Sequence, residues 1–299
     1  MFKHLLVPLD GSSLAEAALA PAAFLAAKAG AKVTLLHVIE RGAPPTVHGA
    51  RHLTAAPDAE QYLAEVAQSG LPAGLTVVRH VHTEETRDLP RALVEHAEEL
   101  APDLIVMCAH GRGGVRDLLF GGIAQRVVAR GATPVLLVRP PATGEPPALP
   151  FRKLLVPDDA TEGHEPGMDV CATVAALCGA PIHLVMVVET LKTLSGPQAV
   201  TGALLPAATR ALLDMAESAA KPHLLEHVRR LQGLGLAVTS EVRRGEPVEA
   251  LAAVARETSA DLLVLRTHGK AGTDAFWSGS LAPRLASQLK LPLLLVPVK

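Results

Sequence analysis

KHLLVPLD (Lys3–Asp10) returns in the second half of the chain as RKLLVPDD (Arg152–Asp159). A second segment, AKVTLLHVIE (Ala31–Glu40), returns at the same displacement as APIHLVMVVE (Ala180–Glu189). Each segment is a short apolar run that ends in acidic residues, which is typical of a buried parallel strand. The two matches indicate that the chain contains an internal repeat.

Two later segments are repeated as well, at a slightly larger displacement. PDLIVMCAHG (Pro102–Gly111) returns as ADLLVLRTHG (Ala260–Gly269), and TPVLLVRP (Thr133–Pro140) returns as LPLLLVPV (Leu291–Val298). A constant register within each pair of segments indicates a duplication with one net insertion before Ala260. The extra length falls in residues 190–232, mostly as a helical pattern from about Leu205 onward.

Each half alternates apolar strand-like runs with helical patterns, which predicts a parallel sheet with helices on both faces. In the first half we expect strands at residues 2–9, 32–40, 75–82, 103–109 and 134–139. We expect helices near residues 12–29, 57–69, 88–100 and 121–131, with a kink at Pro21. The fold class is therefore α/β, with two doubly wound, Rossmann-like, five-stranded parallel sheets in the order 3-2-1-4-5.

The chain length suits two domains. We expect a first domain over residues 1–140, a proline-rich linker over 141–150 and a second domain over 151–299. A net charge of −2 disfavours a nucleic-acid surface, and no apolar run is long enough to span a bilayer. The N-terminus begins directly with a strand-like run, so we expect a cytoplasmic protein without a membrane partner.

A glycine-rich segment follows the fourth strand of each half, HGRGGVRDLLFGG (His110–Gly122) and HGKAGTDAFWSGS (His268–Ser280). Such a turn before a helix offers backbone N–H groups and a positive dipole end to an anion such as a polyphosphate. Arg112 and Lys270 occupy matching positions in the two segments and would neutralise phosphate charge. A simple tight turn would have the same glycine content, and the P-loop motif is absent.

The strand ending VPLDGS (Val7–Ser12) and the block DLIVMCAHG (Asp103–Gly111) resemble the universal stress protein family. ATP-binding members of that family carry G-x2-G-x9-G-[ST] after the fourth strand. Both halves depart from this pattern. Cys108 and Arg266 replace the first glycine, and Gly122 replaces the last hydroxyl residue in the first half.

The resemblance implies that Asp10 and Asp159 hydrogen-bond the adenosine end of ATP, and that Val38 and Val187 line the base pocket. Asp10 and Asp159 could instead cap the helices that follow them. The predicted nucleotide-binding residues of the first half are Asp10, Val38, Met107, Gly111, Arg112, Gly121 and Gly122. Those of the second half are Asp159, Val187, Arg266, Gly269, Lys270, Gly279 and Ser280.

The resemblance implies a protein that binds ATP, with or without Mg²⁺, and acts in stress regulation or sensing without efficient catalysis. The alternatives are a nucleotide-free interaction or scaffold protein of the same family and a slow ATPase. No HExxH, GxSxG or paired-cysteine spacing occurs, so we expect no catalytic residue and no metal site.

The family resemblance also implies that the two halves pair within one chain as a pseudo-dimer. Family members pair through their last strands, so residues 135–138 are expected to meet residues 293–296. This pairing would cover two strand edges that are otherwise prone to aggregation. Of a monomer and a homodimer, we expect the homodimer, because residues 190–232 add helical surface.

Overall fold

A computed structural model describes residues 1–108, 122–139, 149–158, 165–194, 196–268 and 281–298 of the protein. By their contacts the residues form two compact units. Unit 1 comprises Met1–Pro150 with Arg266–Lys299, and unit 2 comprises Phe151–Leu265.

Twelve strands are described, and nearly all of them belong to parallel sheets. In chain order they are β1 (His4–Pro8), β2 (Lys32–Glu40), β3 (Thr46–Val47), β4 (Ala50–Arg51), β5 (Val77–Thr86), β6 (Leu104–Cys108), β7 (Val135–Val138), β8 (Leu154–Asp158), β9 (Ile182–Val188), β10 (Val238–Arg244), β11 (Leu262–His268) and β12 (Leu293–Val298).

Ten helices are described between these strands. They are α1 (Ser13–Glu16), α2 (Leu19–Ala29), α3 (Ala56–Ser69), α4 (Leu89–Leu100), α5 (Gly122–Arg130), α6 (Glu165–Cys178), α7 (Gly196–Leu204), α8 (Pro206–Gly233), α9 (Pro247–Glu257) and α10 (Leu281–Leu289). Among the described residues, no helix is both long enough and apolar enough to cross a membrane.

The sheet of unit 1 has the strand order β5-β2-β1-β6-β7-β12. Its first five strands are parallel and follow the predicted order 3-2-1-4-5, which is therefore confirmed for the first half. The sixth strand, β12, is antiparallel to β7, with Leu294 opposite Leu136. This pairing confirms that residues 135–138 meet residues 293–296.

In unit 2 the strand order is β10-β9-β8-β11, and all three strand pairs are parallel. This order reproduces the first four positions of the predicted arrangement. The central strand is β1 in unit 1, where it lies between β2 and β6, and β8 in unit 2, where it lies between β9 and β11. Leu5, Leu6, Leu154 and Leu155 on these two strands are fully buried, because helices cover both faces of a parallel sheet.

The predicted single helix over residues 12–29 is wrong, because the chain forms two helices there. Ser12 caps α1, which ends at Glu16, and α2 begins at Leu19. Pro21 lies in the first turn of α2, where backbone N–H groups have no intrahelical acceptor. The proline is therefore accommodated at a helix start, and it does not kink a longer helix.

A cluster of three histidines packs between β5 and α4. His96 of α4 is buried, with its Nε2 3.0 Å from Nδ1 of His82, and its ring makes an edge contact with His80. Its Nδ1 lies 3.4 Å from Glu99 Oε2. Burial, and then the electrostatic influence of His80 and His82, lowers the pKa of His96 below its usual 6.5.

This cluster predicts acid sensitivity. The unfolded chain binds a proton at His96 more readily than the folded chain, so stability is complete above pH 6.5 and falls as the pH decreases below it. We expect His96→Gln to flatten the pH dependence of the urea midpoint between about pH 7.5 and about pH 5. Burial also lowers the pKa of His4, so His4 would account for the pH dependence of the urea midpoint that remains in the variant. Equal slopes in the variant and the wild type would contradict the prediction.

Candidate functional site

The carboxyl ends of β1 and β6 form the point in unit 1 where the winding of the sheet reverses. Helical connections run outward in opposite directions from these two adjacent strands, which leaves a crevice where ligands bind in open α/β sheets. Asp10 follows β1 by two residues, and Cys108 is the last residue of β6. Val38 in β2 and Met107 in β6 are buried beside them in the sheet. The described residues Asp10, Val38 and Met107 thus occupy one edge of the sheet.

Asp10 is held in a tight turn at the end of β1. Its Oδ1 accepts hydrogen bonds from the Ser12 backbone N–H at 2.9 Å and the Ser12 hydroxyl at 2.6 Å. The Ser12 oxygen in turn accepts from the Ala15 N–H at 3.2 Å and caps α1. Ser12 therefore performs the capping that was an alternative role for Asp10. The half-buried Asp10 carboxylate is fixed in orientation by the turn.

Cys108 lies within the electrostatic influence of Asp10. Burial, and to a smaller extent the negative charge of Asp10, raises the pKa of the Cys108 thiol to about 12. The thiol is 7% exposed, so it is a small neutral side chain at neutral pH. Cys108 therefore adds no charge to the site at neutral pH.

A segment after β2, residues 41–55, covers the end of β1. It contains the β3–β4 hairpin and Leu53, whose side chain lies directly over Gly11. His37 of β2 connects this segment to the end of β1. Its Nδ1 is 2.8 Å from the Leu9 carbonyl oxygen, and its Nε2 is 3.1 Å from the Leu53 carbonyl oxygen. Gly11 adopts a φ of +90°, which glycine alone adopts without strain. The sequence analysis did not predict this covering segment, because no expected strand or helix and no motif falls on residues 41–55.

Tyr62 ties α3 to α1 beside the same turn. Its hydroxyl donates to Glu16 Oε1 at 3.0 Å. Burial raises the pKa of this phenol strongly, and the negative charges of Glu16 and Asp10 raise it further. Tyr62 therefore remains a neutral hydrogen-bond donor across the physiological range of pH.

Of the remaining predicted residues in the first half, Gly122 is described. It is exposed at the described start of α5, and its carbonyl oxygen accepts from Arg126 Nε at 2.9 Å. In the second half, Val187 is half-buried near the end of β9, and Arg266 is half-buried in β11. The other predicted residues lie outside the described part of the chain, namely Gly111, Arg112, Gly121, Asp159, Gly269, Lys270, Gly279 and Ser280.

Unit 2 contains a group of side chains with the spacing of metal ligands. One candidate ligand atom from each of Asp158, His223 and His227 lies within 4.8 Å of the other two. Asp158 ends β8, and the two histidines lie on α8. Sequence reasoning predicted no metal site and did not bring these three residues together.

The family model of the universal stress protein family matches the chain twice, over residues 1–139 and 150–297. A universal stress protein of Thermus aquaticus is 34% identical over 145 residues, which cover 46% of this chain and all of that protein. One from Methanocaldococcus jannaschii is 29% identical over 150 residues, which cover 47% of this chain and 84% of that protein.

A solved structure has the same fold over nearly the whole chain. The crystal structure of a universal stress protein from Archaeoglobus fulgidus superposes with a TM-score of 0.65 at 17% identity. The superposition covers 99% of this chain and 96% of that one.

Proposed function

Because the chain belongs to the universal stress protein family and contains two copies of its domain, we propose that it binds ATP as a regulatory or sensing protein. The ligand would lie at the carboxyl edge of the sheet, with or without Mg²⁺. In unit 1 the predicted contacts are Asp10 to the adenosine end and Val38 to the base, with Met107 also predicted to contact the nucleotide. The glycine-rich segment that ends at Gly122 would contact the phosphates.

The turn at Asp10 is the observation that carries this proposal. A carboxylate fixed by two hydrogen bonds from Ser12 is pre-organised to accept from a ribose hydroxyl, because little conformational freedom remains to be lost on binding. The turn lies where the winding of the sheet reverses, which is the usual ligand position in this fold class. Since Ser12 caps α1, Asp10 is not required for that role.

Two side chains at this edge that could take part in hydrolysis have structural roles instead. A cysteine thiolate and an accessible histidine nitrogen are common nucleophiles and general bases. The Cys108 thiol remains protonated, because burial raises its pKa to about 12. The His37 ring lies between the carbonyl oxygens of Leu9 and Leu53. Cys108 is therefore not a thiolate nucleophile, and both ring nitrogens of His37 are occupied by backbone carbonyl groups.

Calorimetry with ATP tests the proposal. We expect the wild-type chain to bind ATP with at least one site, and we favour the first half, because Arg266 would obstruct a site more than Cys108 does. Asp10→Asn should weaken that site by about tenfold to a hundredfold, because a hydrogen bond to a charged group contributes about 1.5–3 kcal/mol. No heat with millimolar ATP in the wild type would contradict ATP binding and favour the nucleotide-free scaffold protein.

Two variants serve as comparisons in the same titration. Asp214→Asn removes an exposed carboxylate on α8 and should leave ATP affinity unchanged. Asp159→Asn tests the second half, and Trp277, the only tryptophan of the chain, would report binding there by its fluorescence. If Asp159→Asn alone lost binding, the second half would hold the nucleotide. Release of phosphate at a rate that Asp10→Asn abolishes would favour the slow ATPase.

The homodimer stays a prediction that the inserted helices support. Several large apolar side chains of α7 and α8 are exposed, among them Val200, Leu204, Leu212 and Met215. Burial of such a surface between two copies would stabilise a dimer through the hydrophobic effect.

A further inference from the structure

The two copies of the repeat have different residues at one buried position of the central strand. Asp158 in β8 corresponds to Leu9 in the first copy, and both side chains are 4% exposed. A leucine is stable there without a polar partner, whereas a carboxylate loses its hydration and requires compensation by hydrogen bonds, by an opposite charge or by a metal ion. The second copy therefore has a buried carboxyl group where the first has an apolar side chain.

Part of the compensation comes from α8, in the region that carries the extra length of the second copy. His223 and His227 lie four residues apart, so they lie on the same face of the helix. Their ring centroids are 4.7 Å apart with the rings nearly perpendicular. Nε2 of His223 is 3.4 Å from Asp158 Oδ2, and Nε2 of His227 is 3.5 Å from the same oxygen. Two imidazole nitrogens thus converge on one carboxylate oxygen.

From this geometry we propose that Asp158, His223 and His227 bind a divalent transition metal ion, with Zn²⁺ as the expected occupant. Zinc binds His nitrogen and carboxylate oxygen at about 2.0–2.2 Å in a tetrahedron, which places neighbouring ligand atoms about 3.3–3.5 Å apart. The two nitrogen–oxygen distances, 3.4 and 3.5 Å, match that separation. Two histidines with one carboxylate are a ligand set that first-row metals prefer.

A simple ion pair between a histidinium and Asp158 explains the geometry less well. Charge-assisted N–H···O bonds are about 2.7–2.9 Å long, shorter than both distances here. Nε2 of His223 is buried and makes no hydrogen bond, although it lies near the carboxylate. A metal ion between this nitrogen and Asp158 Oδ2 would give the nitrogen a partner, because a neutral imidazole ring coordinates metals through its lone pair.

The site would join the inserted helix α8 to the end of β8. Three protein ligands leave a fourth position of a tetrahedral metal for water or an anion. The neighbouring Glu226 of α8 is exposed, so it is not included among the ligands. Binding of the metal requires only these three residues and is independent of the proposed binding of ATP.

Zinc titration of the chelator-treated full chain, in competition with a chromophoric chelator, tests the site. We expect one high-affinity zinc per chain, a higher thermal midpoint with zinc, and Co²⁺ absorption bands typical of four-coordination. His223→Gln should weaken zinc binding by more than about a hundredfold, because losses of outer-shell partners alone weaken metal sites about 10- to 100-fold. The His223 ring is 28% exposed, so this variant should fold; His227→Gln should give the same result.

The matched control is His82→Gln, which changes the histidine cluster of unit 1 and should leave the high-affinity zinc in place. The proposal would be overturned if the wild-type chain bound no zinc at micromolar protein and metal. It would also be overturned if His82→Gln removed the zinc while His223→Gln retained it. Loss of ATP binding without loss of zinc would contradict only the nucleotide proposal.

Discussion

Leu136→Asp is expected to destabilise unit 1 by more than about 4 kcal/mol, because it places a carboxylate in the centre of a fully buried sheet. Leu136 is 0% exposed in β7, with Val106 of β6 on one side and Leu294 of β12 on the other. A domain is typically stable by about 5–15 kcal/mol, so this single change removes much of the total. The thermal midpoint should fall by about 8–16 °C, or the cooperative transition should disappear.

The same substitution at an exposed leucine separates burial from charge. Leu234, which follows α8, is 62% exposed, so Leu234→Asp should change the midpoint by less than a tenth of that amount. Leu136→Met keeps the volume and the apolar character, and should cost less than about 1.5 kcal/mol. Equal midpoints for Leu136→Asp and Leu234→Asp in circular dichroism melts would show that Leu136 is not in the core.

The strands could be predicted because a parallel sheet buried on both faces requires continuous apolar runs. Leu104–Cys108 and Val135–Val138 carry that pattern, and the structure places strands within the predicted ranges. The prediction of the edge strand β5 was less accurate. The strand extends to Thr86 through polar residues, which give no apolar pattern in the sequence. The strand order was predicted from the doubly wound fold class, and the β7–β12 pairing from the family resemblance, since the local apolar pattern determines neither.

The predicted helix boundaries were less accurate wherever a single proline or a local cap determines where a helix begins or ends. Leu205 separates α7 from α8 with φ −130° and ψ 60°, because the residue before a proline disfavours the helical conformation. Pro222 lies inside α8, which nevertheless continues to Gly233. A pattern of apolar spacing does not distinguish these two outcomes.

Candidate site residues followed from the sequence only where a motif places them. Asp10, Val38 and Met107 come from strand ends, and the topology brings them to one edge of the sheet. The cover over Gly11 and the convergence of α8 on Asp158 depend on contacts between distant residues that have no repeat counterpart. The four-residue spacing of His223 and His227 is visible in the sequence, but the approach of these histidines to Asp158 is a long-range contact that their spacing does not predict.

Gly11→Val is expected to destabilise unit 1 and to weaken its proposed nucleotide site. Gly11 has a φ of +90°, where a β-branched residue incurs about 1–3 kcal/mol of backbone strain. An added Cβ would lie 3.0 Å from Leu53 Cδ1, and such overpacking costs about 1–3 kcal/mol more. Since Gly11 joins Asp10 to Ser12, relief of the strain would move the Asp10 carboxylate and lower ATP affinity. Urea unfolding and ATP calorimetry measure the two effects.

Gly74 supplies the matched control, because it has a similar φ of +96° but no atom within 4 Å of the added Cβ. Gly74→Val should show the strain alone, so the difference between the two variants measures the contact with Leu53. Leu53→Ala should recover part of the stability lost in Gly11→Val, because the two side chains are in contact and their effects are not additive. If Gly11→Val and Gly74→Val lost the same stability, and Leu53→Ala recovered none of it, the cover would not be packed on the Asp10 turn.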